Sequence, residues 1–344
     1  MTTVVAPSLP APGRDPEPEP RRRVLARLGP ADRTFRGLAR GSGLIVLAIM
    51  SLVGVFLGYR GWQALRVAGW SFLTTERWQP DAGHGHFGIA AVLLGSVLVG
   101  LVAITLATPL AVGTALYISE YSPARLRRTF ISLVDLMAAV PSVVYGLWGF
   151  FLLQGKMVGV SRWLATYLGW IPIFRVAGVD PRDPLAAQTS FTSSTLIAGT
   201  VVALMVAPIA CSVMRETFSQ APLGEREGAY ALGATRWGMI RTVVLPFGRG
   251  GIIGGSMLGL GRALGETITV FMVLGALFAI QPHILENGGS SVSALIALKY
   301  GEAKELGISA LMAAGLALFL LTLVVNFAAS MIIARSRSGA ATEA

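Results

Sequence analysis

Arg262 and Glu266 stand four positions apart within an otherwise apolar stretch of the sequence. Residues at this spacing share one face of a helix, so the guanidinium and the carboxylate can pair. A charge facing lipid costs about 2.5–3.5 kcal/mol, which predicts that both side chains face water or the interior of a helical bundle. The arginine offers a planar fork of donors that matches the oxygens of an oxyanion. The pair is the candidate anion pathway, with a structural lock between helices as the alternative.

A polar segment from Glu225 to Ile240 separates the fourth and fifth apolar runs. Its pattern predicts a helix, a glycine turn and a second helix. Small residues let another surface approach the backbone closely, whereas Tyr, Arg and Trp are residue types that anchor protein interfaces. The segment is therefore expected to dock a partner protein. The residues expected at this docking surface are Glu227, Ala229, Tyr230, Gly233, Arg236 and Trp237.

Motifs for chemistry on this chain itself are missing from the sequence. The only Gly-Lys pair, at 155–156, lacks the glycine spacing of a phosphate-binding loop. Cys211 is the only cysteine, which excludes an intramolecular disulfide and a cysteine metal cluster. His84 and His86 lie near Asp81, but two histidines in a short connection do not predict a metal site. We expect no catalytic site, no metal and no cofactor bound by this chain.

The elements that position these residues are apolar helices. Of the 344 residues 53% are hydrophobic and 13% charged, too few charges for a soluble protein of this length. Runs without the period-2 alternation of barrel strands predict an all-α polytopic membrane protein with six transmembrane helices. The predicted spans are 43–59, 88–118, 130–153, 193–214, 251–280 and 307–334.

The positive charges are distributed unevenly between the two sides of this topology. With the N-terminus inside, eighteen Lys and Arg residues lie on the cytoplasmic side and nine outside. This excess predicts that both termini are cytoplasmic and that the net charge of +10 reflects topology rather than nucleic-acid binding. Glu120 and Glu216 then lie at cytoplasmic helix ends, where we expect them to be solvated, and Asp135 lies near the same interface.

Three prolines fall within the predicted spans, Pro109, Pro141 and Pro208. Each removes one backbone hydrogen bond and predicts a kink in its helix.

The sequence divides into two terminal tails and one transmembrane domain. Residues 1–40 are rich in Pro and Arg and predict a disordered cytoplasmic tail, 41–336 form the transmembrane domain with a cytoplasmic loop at 215–248, and 337–344 form a short cytoplasmic tail.

The docking segment resembles the EAA loop of ABC-importer permeases. In that pattern Glu227, Ala229, Gly233 and the pair Leu245-Pro246 match in register, while Gly228 replaces the usual Ala and Val243 the usual Ile. The resemblance implies the bundle of a type I ABC importer permease. It also implies that this loop is the coupling helix that sits in a groove of a cytoplasmic ATPase.

A narrower resemblance covers most of the chain from residue 40 onward. The stretches 140–149, VPSVVYGLWG, and 259–267, GLGRALGET, are similar to those of PstC-type permeases of bacterial phosphate importers. This resemblance implies a multi-pass protein of the bacterial inner membrane that translocates inorganic phosphate. It implies a homologous permease as heterodimer partner, two ATPase subunits that bind ATP and Mg, and an external phosphate-binding protein. It also implies that Arg262 and Glu266 take part in anion passage.

Two other functions remain open at this point. The chain can be a permease for another oxyanion such as sulfate or molybdate, because an arginine alone does not separate these anions. It can also be a membrane scaffold that reports the phosphate state to a signalling kinase, for which the tail at 1–40 is the only candidate feature. In none of the three does the chain hydrolyse ATP itself.

Overall fold

The computed structural model describes residues 29–82, 87–183, 187–275 and 277–337. Within these residues the chain is almost entirely helical, and the only extended pairing is an isolated bridge between Ser194 and Asn287. Short 3-10 and π-helical turns join or extend the α-helices. The α-helices are α1 (Pro30–Ala68), α2 (Ser71–Thr74), α3 (Ala90–Leu116), α4 (Ala124–Ala139), α5 (Ser142–Trp148), α6 (Gln154–Leu168), α7 (Thr195–Ser219), α8 (Leu223–Ala231), α9 (Arg236–Met239), α10 (Leu245–Leu264), α11 (Ile268–Leu274), α12 (Val292–Lys299) and α13 (Glu305–Arg337).

Residue contacts divide the chain into two units, 1–52 and 53–344. In the first unit α1 begins at Pro30, and nearly every side chain from there to residue 52 is exposed. Residues 30–40 are therefore helical, which corrects the predicted boundary of the tail at residue 40. The physical reason is local, because Pro is tolerated at the first helical position and Asp32 in the first turn favours a helix start. The rest of the predicted tail, 1–28, lies outside the described residues, as does 338–344.

Six helical segments in the described part of the chain are long and apolar enough to cross a membrane. The first, second, fourth and sixth overlap the runs predicted from the sequence. The third and fifth differ from the prediction. The six segments are Pro30–Ala68, Ala90–Tyr121, Ser142–Leu168, Thr195–Ser219, Arg236–Leu264 and Glu305–Met331.

The third predicted span, 130–153, is wrong as one helix. α4 ends at Ala139 and α5 begins at Ser142, with Val140 in an extended conformation between them. Pro141 causes this break, because its ring disfavours a helical residue before it and it lacks an N–H for the carbonyl of Met137. That carbonyl accepts instead from the backbone N–H of Val140 at 3.3 Å and from the Tyr145 hydroxyl at 3.0 Å. Pro141 therefore separates two helices rather than bending one.

The fifth predicted span, 251–280, is displaced along the chain. The helix starts at Arg236, because arginines before residue 251 lowered the local hydropathy without breaking the helix. It ends at Leu264, and after a short interruption α11 runs only to Leu274. The apolar residues after 274 are not part of a spanning helix, since an apolar run does not by itself specify helical continuity.

The centre of the bundle is α7, which packs against α3 and α10. Apolar residues on α7, among them Ile197, Val201 and Val206, are fully buried. α10 approaches α7 closely because small residues face it. A Cβ at Gly255 would lie 2.9 Å from the carbonyl oxygen of Ala210 on α7. Close backbone approach of this kind is how membrane helices gain packing energy without a hydrophobic driving force.

The segment before α12 folds back onto the bundle and is attached to α3. The Ser96 hydroxyl on α3 accepts a hydrogen bond from the backbone N–H of Val292 at 2.9 Å. At the preceding residue of α3, a Cβ at Gly95 would overlap the carbonyl oxygen of Ser290. Leu285 in the same segment is fully buried. This irregular backbone is therefore held by protein contacts rather than exposed to lipid.

The contact between α3 and this segment predicts the effect of adding one methyl group. Gly95→Ala places a Cβ on a backbone carbonyl that cannot rotate away, so we expect a loss of about 1–3 kcal/mol, the usual range for overpacking. Gly113→Ala is the matched control, because it lies on the same helix with open space around it. The measurement is the thermal unfolding midpoint of the purified protein in detergent. Equal midpoints for the two variants would contradict this packing.

Candidate functional site

Two breaks between helices lie against each other, one directly before the third spanning segment and one directly after the fifth. α5 begins at Ser142 after the break at Pro141, and α11 begins after the break that follows Leu264. The Thr269 hydroxyl of α11 donates to the carbonyl of Ser142 at 3.1 Å. Nearby, a Cβ at Gly146 would lie 3.2 Å from the Cα of Thr269, so the two short helices are in close contact. In membrane transporters, interrupted helices commonly surround the substrate site.

Glu266 lies in the second interruption and is buried, with 8% of its surface exposed. Its Oε1 accepts a hydrogen bond from the backbone N–H of Thr269 at 3.1 Å, which orients the carboxylate at the start of α11. Its own carbonyl accepts from the Ser293 hydroxyl at 2.8 Å. In the described residues Oε2 has no protein partner. Glu266 therefore keeps one carboxylate oxygen available in a polar break.

Arg262 lies on the last turn of α10 and is exposed. It makes no hydrogen bond or ion pair with any residue that the structure describes. The predicted pairing with Glu266 is wrong, because α10 ends at Leu264 and the spacing of four no longer places the two residues on one helical face. Glu266 binds a backbone N–H instead. Arg262 lies just before the interruption and Glu266 lies within it, and their role in anion passage stays a prediction.

Pro109 and Pro208 behave differently from Pro141, since α3 and α7 continue through them. The hydroxyls of Thr108 and Ser256 are hydrogen-bonded at 3.0 Å beside Pro109, which links α3 to α10. The Ser212 hydroxyl, one turn after Pro208, lies 3.2 Å from the Pro208 carbonyl. That both helices bend at these prolines stays a prediction.

The acidic residues near the predicted cytoplasmic side have three different environments. Asp135 is exposed and accepts from the Ser212 hydroxyl at 3.2 Å. Glu216 is exposed, as predicted. Glu120 is not solvated: its side chain is 5% exposed and is paired with Arg226. Sequence reasoning missed this pair because 106 residues separate its members and a lone glutamate at a helix end is ordinarily hydrated.

The predicted docking surface is exposed in the structure. Large apolar side chains point away from the bundle there, with Leu232 92%, Trp237 56% and Tyr230 44% exposed. Glu227 and Arg236 are exposed as well, and Ala229 is partly buried. An exposed cluster of this composition is typical of protein interaction surfaces, and the docking role of these residues stays a prediction. Leu223 and Leu232 belong to it and were missed, because the sequence analysis selected small, aromatic and charged residues.

Gly233 makes the turn between α8 and α9. Its φ is +83°, a region that favours glycine, and its N–H donates to the carbonyl of Tyr230 at 2.9 Å. The next residue, Ala234, donates to the carbonyl of Ala229. Thr235 then caps α9 by accepting from the N–H of Gly238 at 3.1 Å. The predicted helix, glycine turn and second helix are confirmed.

The described residues contain no group of three or more metal-ligating side chains. Both carboxylate oxygens of Asp81 accept backbone N–H groups, from Lys304 and Gly307, at the start of α13. His84 and His86 lie outside the described residues.

The chain matches the model of the family described as binding-protein-dependent transport system inner membrane component over residues 107–338. It is 39% identical over 303 residues to the phosphate transport system permease protein PstC 2 of Mycobacterium tuberculosis, covering 88% of this chain and 91% of that protein. It is 40% identical to PstC of Mycobacterium leprae, with 88% and 92% covered.

Solved structures share the fold at low sequence identity. A crystal structure of a bacterial alginate ABC transporter in complex with an alginate-bound periplasmic protein matches with a TM-score of 0.56 and 16% identity, covering 88% of this chain and 95% of that chain. A second structure, of a bacterial ABC transporter involved in alginate import, matches with a TM-score of 0.52. These likenesses show the architecture of an ABC-importer permease.

The separate environments of Arg262 and Glu266 predict that they contribute independently to stability. In a double-mutant cycle with Arg262→Gln and Glu266→Gln, the changes in free energy of unfolding should add to within about 0.5 kcal/mol. The measurement is thermal or chemical unfolding of the purified chain in detergent. A coupling well above about 1 kcal/mol would reveal a direct ion pair and contradict the geometry described above.

Proposed function

This chain belongs to the family of binding-protein-dependent transport system inner membrane components, and we propose that it is the PstC-type subunit that conducts inorganic phosphate across the bacterial inner membrane. It is a multi-pass membrane protein and a transport component, and ATP is hydrolysed by a separate subunit of such importers. The proposal concerns how its residues carry the anion and couple its movement to ATP.

The observation that supports the proposal is Arg262, which is exposed at the end of a spanning helix and has no partner among the residues that the structure describes. A guanidinium facing lipid there is unfavourable by about 2.5–3.5 kcal/mol, so the face that carries it is covered by a partner or by water. A bidentate fork beside a polar interruption is suited to bind an anion with several equivalent oxygens. We assign Arg262 to transient contact with the passing phosphate.

Glu266 supplies the second contact in this proposal. Phosphate near neutral pH carries at least one proton, and the free Oε2 of Glu266 can accept a hydrogen bond from it. Sulfate carries no such proton, so the same carboxylate would repel it. The backbone N–H of Thr269 holds the carboxylate in place through the other oxygen, so the acceptor is preorganised.

Coupling to ATP follows from the continuity of one helix. The segment Arg236–Leu264 runs from the docking surface to the interruption beside Glu266. At about 1.5 Å per residue, Arg236 and Arg262 are roughly 39 Å apart along it. A displacement at the docking surface is therefore transmitted to the anion-binding arginine through one continuous helical segment, which includes the π-helical turn Ile240–Val244.

The partners follow from the same proposal. A homologous permease would cover the face that carries Arg262, and two ATPase subunits holding ATP and Mg would dock at Tyr230, Gly233 and Trp237. An external phosphate-binding protein would deliver the substrate. The Arg262 face and the docking surface are exposed in the isolated chain, as such interfaces require.

The role of Arg262 is tested by phosphate uptake into proteoliposomes that contain all four kinds of subunit. Arg262→Lys keeps a charge but loses the two-point match, so uptake should fall about tenfold, and Arg262→Gln should abolish it. Arg249→Gln is the matched control on the same helix, exposed and without an ion pair among the described residues. Labelled sulfate is the competing substrate. Unchanged uptake by the Arg262 variants, or preferential sulfate uptake by the unaltered chain, would contradict the proposal.

The docking surface is tested at Gly233. Gly233→Ala forces a Cβ into a left-handed conformation, which costs about 1–2 kcal/mol and should tilt α8 against α9. We expect weaker co-purification of the ATPase and lower uptake. Gly224→Ala lies in α8 with open space and no unusual backbone angle, so it should behave like the unaltered chain. Full association of the ATPase in the Gly233 variant would exclude this surface.

A further inference from the structure

Arg226 lies on α8, and its side chain is largely buried, with 17% exposed. All three nitrogens of its guanidinium are hydrogen-bonded to protein. Nη1 donates to both carboxylate oxygens of Glu120, at 3.0 and 3.1 Å. Nη2 donates to the carbonyl of Phe218 at 2.6 Å, and Nε to that of Ala221 at 3.2 Å. Arg226 thus ties α8 to the end of the second span and to the end of α7 simultaneously.

The second span ends in a π-helical turn, Tyr117–Tyr121, that contains Glu120. Two further arginines reach the same turn. Arg127 of α4 donates to the carbonyl of Ser119, and the guanidinium of Arg236 lies 5.4 Å from the ring centroid of Tyr121. Elements on both sides of the docking surface are therefore connected to one five-residue turn.

The ion pair between Arg226 and Glu120 is largely buried and is held by several hydrogen bonds. The side chains of Arg226 and Glu120 are 17% and 5% exposed, unlike an ordinary surface ion pair. The carbonyls of Phe218 and Ala221 lie at and just beyond the C-terminal end of α7, where a cation is favourable. A fork donating in three directions holds both the distance and the angle between α8 and the spanning helices.

We propose that Arg226 and Glu120 are positioning residues for energy coupling, which transmit movement of the ATPase-docked α8 to the ends of the second and fourth spans. This inference rests on the proposed function. α9 and α10 transmit the movement to the fifth span by helical continuity, whereas α8 has no such continuity with α7 because Pro222 interrupts the helix between them. The hydrogen bonds of Arg226 provide the connection between α8 and α7 in place of a continuous helix.

The test is the number of phosphate ions transported per ATP hydrolysed by the complete importer in proteoliposomes. Glu120→Gln keeps the shape of the side chain but removes its charge, and Arg226→Lys keeps the charge but cannot reach the carboxylate and both carbonyls together. For both variants we expect assembly and ATPase activity to persist while the transport ratio falls about tenfold, within the usual range for coupling between distant sites. Glu216→Gln, an exposed glutamate at the end of α7, is the matched control and should keep the ratio.

The outcomes separate this inference from the proposed function. If the unaltered importer does not move phosphate, the proposed function fails. If it does, and both variants keep an unchanged ratio, the positioning role is overturned. A parallel loss of assembled complex, ATPase activity and uptake in both variants would show that the pair only stabilises the fold, and it would overturn the inference as well.

Discussion

The constraint on which the rest of this structure depends is the hydrogen bonding of backbone groups at membrane depth. Lipid offers no donors or acceptors, so each place where a helix stops needs partners from the protein. The Met137 carbonyl before Pro141 accepts from the N–H of Val140 and from the Tyr145 hydroxyl. Glu266 accepts from the N–H of Thr269 in α11, and the Thr269 hydroxyl donates to the carbonyl of Ser142. This last bond holds the two interruptions side by side and forms a polar region close to Arg262 in the chain.

The interruption after α10 also explains why the charge of Arg262 stays exposed instead of pairing with Glu266. Arg262 would lose its freedom to bind an anion if it were paired internally, and the end of α10 at Leu264 prevents this by turning Glu266 away. Glu266 is then oriented by a backbone N–H, which cannot titrate or leave. The arrangement keeps the guanidinium of Arg262 available just before the break and one carboxylate oxygen of Glu266 available within it.

The docking helices α8 and α9 lie near the start of the fifth spanning segment. They present an exposed surface that must still transmit the movement of a bound partner to the bundle. Leu232 and Trp237 are exposed, while Arg226 of α8 is hydrogen-bonded to Glu120 and to the carbonyl of Phe218 at the end of α7. A surface that binds a moving partner needs such a rigid support, because a loosely attached helix would absorb the motion locally. The glycine turn at Gly233 fixes the angle between the two docking helices.

The sequence by itself determined the class of the protein, most of its spans and the docking helices. Long apolar runs have few alternatives in lipid, and the pattern around Gly233 encodes a turn through local backbone preferences. Only the tertiary structure decided that separate helices end at Ala139 and Leu264, because the sequence predicted a bend at Pro141 and one continuous span through Glu266. It also decided that Arg262 has no partner among the described residues and that Glu120 is paired with Arg226. Such pairings join residues far apart in the chain, and their energies depend on burial and geometry that no local pattern records.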